Sequence, residues 1–107
     1  IQNLLDISMG SSSVITSRKG SVRGNHYHKR DDHYCYVFAG TVEYHYRPAG
    51  SSKPPDVQTI GADQMFYSGA MVEHAMKFLE DSVLFVLAKL PRDQESYEDD
   101  VVRVELA

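Results

Sequence analysis

The sequence predicts an all-β fold, a single-domain jelly roll built as a double-sheet β-sandwich. Three observations predict it. Eight or nine short runs rich in Val, Ile, Tyr, Phe and Thr follow one another, with turn residues between them. No segment sustains a 3.6-residue apolar period, and only Leu90 to Asp100 has room for one short turn of helix. The histidines of one run, His26 and His28, stand two apart, the spacing at which strand neighbours share a face.

Taken in order, the first strand, Ser12 to Ser17, rests on the β-branched Val14, Ile15 and Thr16. The second, Arg23 to His28, presents both of its imidazoles to one side. In the third, His33 to Ala39, period-2 counting puts His33, Cys35, Val37 and Ala39 on one face and Tyr34, Tyr36 and Phe38 on the other. Ala39-Gly40 reads as a hairpin turn into Thr41 to Arg47, where His45 shares the solvent face with Glu43 and Arg47. Pro48 to Asp56 is too rich in Pro, Gly and Ser to be an element and reads as the longest exposed loop. Val57 to Ile60 and Gln64 to Tyr67 follow, and then His74 to Phe78, where His74, Met76 and Phe78 form one line. Ser82 to Leu90 has no polar alternation over its middle and is expected to be buried on both faces. A last strand, Val101 to Leu106, lies in the tail.

With 107 residues the chain makes one domain, its core about 12–90 and its C-terminal tail 91–107. A net charge of -4 without a Lys/Arg cluster argues against nucleic-acid binding. No apolar run approaches the roughly 20 residues that cross a bilayer, and Ile1 to Ser8 lacks the pattern of a signal peptide, so a cytoplasmic protein is expected. The single cysteine, Cys35, makes no intrachain disulfide and is read as a packing residue. The apolar Ser82 to Leu90 and the Tyr34, Tyr36 and Phe38 face exceed what one small sandwich covers, and a homodimer is the simplest cover.

If the lines that carry His26 and His28, His33, and His74 all face one interior, four imidazoles converge. That set suits a divalent transition metal, Zn, Ni, Fe, Mn, Co or Cu, far better than Ca or Mg. The expected metal ligands are therefore His26, His28, His33 and His74. Arg23, three residues before the pair, is expected near the pocket mouth, with Met65 or Tyr67, and Met76 and Phe78, as apolar walls.

The spacing resembles the two motifs of the cupin superfamily, the RmlC-like jelly rolls. Gly20, five residues, His26-Tyr27-His28, four residues, His33, six residues, Gly40 fits the first motif, with His33 where the family places Glu. Gly61, Tyr67-Ser68-Gly69 and His74 resemble the second motif more loosely. Gly20 to Lys29 is similar to a segment of the dTDP-sugar 3,4-ketoisomerases and, more loosely, of capsular-sugar cupins; Phe78 to Ala88 and the acidic stretch Arg92 to Asp100 resemble the same branch. In those enzymes one His of the pair is thought to act as base without a metal, so the resemblance implies catalytic roles for His26, His28 and Arg23. Three readings stay open: a metal-binding cupin that isomerises or epimerises a sugar or nucleotide-sugar, a metal-dependent dioxygenase, and a non-catalytic binding or sensor module for a small molecule.

Overall fold

The computed structural model describes residues 1–91 and 93–107, and of residues 94–96 the backbone alone. Two antiparallel sheets face each other. One has the order β1 (Ser11–Ser17), β8 (Ser82–Ala88), β3 (His33–Ala39), β6 (Gln64–Ser68). The other has the order β5 (Asp56–Gly61), β4 (Thr41–Pro48), β7 (Val72–Phe78), β2 (Val22–His28), β9 (Val101–Arg103). The arrangement is the jelly roll expected from the strand pattern. A helix, α1 (Gln94–Asp100), runs directly into β9; Arg92 of the expected acidic tail lies outside the described residues.

Alternation along each strand sends one set of side chains inward. Val37, Val42, Phe78 and Leu84 are at most 1% exposed and, with Ile60, Cys35 and Phe66, form the apolar floor between the sheets. Burying side chains of this kind stabilises by about 1.5–3 kcal/mol each.

Four expectations are corrected. Ala39-Gly40 is no hairpin turn, because β3 and β4 lie in different sheets and the chain turns a corner there. Gly40 has φ +96°, and a Cβ on it would run into Ser82 and the backbone of Asp81, so the corner needs glycine. The strand buried on both faces is β7: Glu73 and Ala75 on its outer side are covered, with Glu73 accepting from Arg47 Nε at 2.7 Å and from the Gly50 amide at 3.1 Å. On β8 the outward Val83, Phe85 and Leu87 are only half-buried. The last strand stops at Arg103, and beyond it the amides of Leu106 and Ala107 donate to Asn25 Oδ1. His45 is half-buried on the outer face with Nε2 2.7 Å from Glu43, rather than open to solvent.

Candidate active site

A β-bulge builds one wall of the site. Gly24 and Asn25 have φ of +89° and +56°, and the pairing of β2 with β7 slips between Gly24 and His26. Strict alternation would put Arg23 and His26, three residues apart, on opposite faces. The extra residue, Asn25, puts both on the inward face, with Arg23 paired with Met76 at its exposed edge and His26 buried beside His74. Gly24 is required here, because a Cβ would come within 3.0 Å of the His74 carbonyl oxygen.

The four expected histidines do come together, but not as one set. His26, His28 and His74 have ligand atoms all within 4.8 Å of one another. His33 joins only a second group, with His28 and Asp31. The ring centroids trace the same path, 4.7 Å from His26 to His74, 4.9 Å from His26 to His28, and 4.5 Å from His28 to His33.

Two buried carboxylates organise these rings. Asp100, at the end of α1, lies 3.2 Å from His28 Nδ1 and also accepts from the Arg30 and Asp31 amides and from Arg30 Nε. Asp31 Oδ2 lies 3.1 Å from His33 Nε2, while its Oδ1 accepts from the amides of Asp32 and Leu90. Carboxylates at neutral pH only accept, so in the neutral tautomer each ring carries its proton on the nitrogen facing the carboxylate, Nδ1 of His28 and Nε2 of His33. Their lone pairs are therefore on His28 Nε2 and His33 Nδ1. His74 Nδ1 faces the Val72 carbonyl at 3.2 Å in the same manner, which leaves its Nε2 with the lone pair. His26 Nδ1 and His28 Nε2 are buried with no hydrogen-bond partner among the described residues.

Electrostatics keeps the inner three neutral. Burial, then repulsion from His74, His28, Arg103 and His33, pushes His26 down to about 3. Burial likewise lowers His74 to about 4, with His28 and His33 adding to it against the Val72 carbonyl. Burial and His33 lower His28 too, against the pull of Asp100 and Asp31. Burial would raise Asp100, but the Asp31 and Arg30 amides, the Arg30 guanidinium and His28 hold it below its usual range.

The rings border a chamber of about 120 Å³ lined by His26, His33, His74, Arg23, Met76 and Phe66, among others. A larger cavity of about 370 Å³ adjoins it, sharing His33, Val86 and Tyr97, and has Arg30, Ser11, Ser13 and Leu90 in its outer wall. His28 lines neither and stands behind the others at 2% exposed. The expected apolar walls are corrected as well. The inward residues of β6 are Phe66 and Ser68 rather than Met65 or Tyr67, and Phe78 belongs to the floor. Arg23 lines the chamber, with Nε donating to Ser17 Oγ at 2.8 Å. Cys35, also on the chamber wall, is buried, and burial pushes its thiol up to about 12, which disfavours the reactive thiolate.

Sequence reasoning missed Asp31, Asp100 and Tyr97. Asp31 is two residues from His33 and carried a local signal; Asp100 is 72 residues from His28 and carried none. The three-histidine group fits a divalent transition metal. Its orphaned nitrogens have no hydrogen-bond partner among the described residues, and His28 and His74 each donate their remaining N–H to an oxygen, the arrangement that orients metal-ligating imidazoles.

The fold is the RmlC-like cupin jelly roll. No family model and no curated protein matches the chain by sequence, but solved structures match it in fold. The capsular polysaccharide assembling protein CapF of Staphylococcus aureus superposes with a TM-score of 0.78 at 19% identity, covering 91% of this chain and 29% of CapF. The sugar 3,4-ketoisomerase QdtA of Thermoanaerobacterium thermosaccharolyticum, in complex with TDP, gives 0.74 at 23% identity, over 89% of this chain and 66% of QdtA. ChmJ, a 3'-monoepimerase from Streptomyces bikiniensis in complex with dTDP-quinovose, gives 0.71 at 20% identity, over 81% and 49% of the two chains. Among the described residues no helix is long and apolar enough to cross a membrane.

Proposed function

We propose that the chain is an isomerase or epimerase of a sugar nucleotide that moves a proton between neighbouring carbons of a keto-sugar, with His33 as the proton carrier. The observation that carries this is the His33–Asp31 pair at the junction of the two cavities. Of the histidines on the chamber wall, His33 alone among the described residues has a carboxylate partner, and its Nδ1 makes no hydrogen bond to another described residue. Asp31 fixes the tautomer and stabilises the imidazolium that forms on proton uptake. That the relatives in fold include a 3,4-ketoisomerase and a 3'-monoepimerase supports the reaction class.

In the reaction His33 Nδ1 takes the proton from a carbon beside the carbonyl, and the C–H electron pair moves into the new C–C double bond of an enediolate. Returning that proton to the neighbouring carbon, while the hydroxyl proton passes between the two oxygens, moves the carbonyl by one position. Epimerisation instead needs a second acid or a water to protonate the original carbon from the opposite face, while His33 gives its proton up to solvent. Neither outcome needs a redox partner. Arg23 either polarises the carbonyl or holds an anionic handle of the substrate. His26, His28 and His74 would hold a divalent ion, which supplies Lewis acidity toward an oxygen when bound.

Incubation with TDP-4-keto-6-deoxyglucose, followed by proton NMR, tests this reading. Formation of the 3-keto isomer or of an epimer is expected, and His33→Asn should lower the rate by about 10²–10⁴-fold. A sugar returned unchanged contradicts it. The three neutral imidazoles favour a second reading, a metal-dependent dioxygenase, whose signature is oxygen consumption by the Fe(II)-loaded protein.

A homodimer belongs to the same proposal. The outer face of β1, β8, β3 and β6 exposes Val14 at 66%, Phe38 at 70% and Tyr67 at 51%. Residues from the N-terminus cover part of it, where Gln2 meets Asp63 and Tyr36. Sedimentation equilibrium at micromolar concentration separates dimer from monomer.

A further inference from the structure

We infer that Asp100 couples the three-histidine metal seat to the C-terminal segment, so that an ion bound there assembles the Tyr97 wall shared by the two cavities. Asp100 is 3% exposed and is the last residue of α1, directly before β9. Its Oδ2 meets His28 Nδ1 at 3.2 Å and the Asp31 amide at 3.1 Å, and its Oδ1 accepts from the Arg30 amide at 2.8 Å. One carboxylate thus ties together a seat histidine, the turn between β2 and β3, and the C-terminal segment. The same segment is held to β2 by three register pairs, His26 with Arg103, Tyr27 with Val102 and His28 with Val101, so it flanks two of the three seat histidines.

The functional consequence runs through Tyr97. It sits one helical turn before Asp100 on α1, its ring centroid is 5.8 Å from that of His28, and it lines both cavities. With Nδ1–H of His28 donated to Asp100, the Nε2 lone pair is presented to the seat, and an ion that takes it favours the docked segment over any released one. By reciprocity the docked segment raises ion affinity by the same factor. Metal occupancy therefore sets whether the wall bearing Tyr97 is in place to meet a ligand. The coupling rests on the metal-holding role proposed for His26, His28 and His74, and not on the isomerase chemistry.

The test uses the full chain and zinc alone. Calorimetric titration of wild type and Asp100→Ala should show zinc affinity about 10–100-fold weaker in the variant, the usual cost of losing the group that orients a ligating imidazole. In wild type, zinc should slow amide exchange of Val101 to Arg103 at least tenfold while leaving the β1–β8 pairing unchanged. That selective slowing should vanish in Asp100→Ala. Where Asp100→Ala fails to fold, Asp100→Asn serves, since it keeps one acceptor oxygen and should give an intermediate loss on both readouts. A folded variant that binds zinc within threefold of wild type overturns the coupling, as does zinc that binds without slowing β9 exchange, or a chain that takes up no zinc. Because neither readout involves a sugar, the isomerase reading can fail while the coupling stands.

Discussion

The interior of the sandwich has two ends that obey the same strand alternation and do opposite things with it. At the floor, Val37, Val42, Phe78 and Leu84 are sealed within the hydrophobic core cluster. At the other end the inward positions of β2, β3 and β7 carry His26, His28, His33 and His74, and two buried nitrogens there have no partner among the described residues. The floor is optimised for burial. The histidine end gives up stability by holding desolvated, unpaired lone pairs, which is the usual mark of a working site.

The largest effect that separates the ends is a truncation at the floor. Phe78→Ala should destabilise by about 3–5 kcal/mol, measured by denaturant unfolding, because a fully buried ring leaves a cavity that the sheets cannot close. Acid should strike the other end. His26 and His74 have folded-state pKa values of about 3 and about 4, below the ordinary 6.5, so the native state binds fewer protons than the unfolded chain between those values. The metal-free protein should therefore hold its full stability above about pH 6.5 and lose it progressively as the pH falls toward 4 and 3, and replacing His26 and His74 by Leu should flatten that loss.

Asp31→Ala comes next. It leaves the amides of Asp32 and Leu90 without their acceptor, and should cost about 1–3 kcal/mol in the same unfolding assay. The smallest effect belongs to His74→Leu, which should change the stability of the metal-free protein at pH 7 by less than about 1 kcal/mol, or raise it, while abolishing zinc uptake. A large destabilisation by that substitution would make His74 a core residue and erase the contrast between the ends.

Both ends were legible in the sequence as far as alternation reaches. The sheet faces of His26 and His28, of Cys35 and Val37, and of Met76 and Phe78 follow from period two, and strand limits came within one or two residues for most elements. What alternation cannot show is an extra residue or a distant partner. The bulge at Asn25 turns Arg23 inward against the count, and it needs only a left-handed Gly24-Asn25 pair that many turns also contain. The corner at Gly40 looked like a hairpin because the local sequence is the same whether the next strand joins the same sheet or the facing one. The four-histidine centre divided at His33, which Asp31 holds two residues away, while His28 stays in the seat with its Nδ1 on Asp100, a partner 72 residues distant that tertiary packing alone supplies.

The difference between the ends is tested most directly by isotope wash-in. The protein is incubated in D₂O with TDP-4-keto-6-deoxyglucose, and deuterium on the carbon beside the carbonyl is followed by mass spectrometry. Wild type should place deuterium there well above the buffer rate, Phe78→Val should do so in proportion to its folded fraction, and His33→Asn should fall to the buffer rate. Exchange at the buffer rate in wild type, or undiminished exchange in His33→Asn, would contradict the assignment of this end of the barrel as a proton-transfer site.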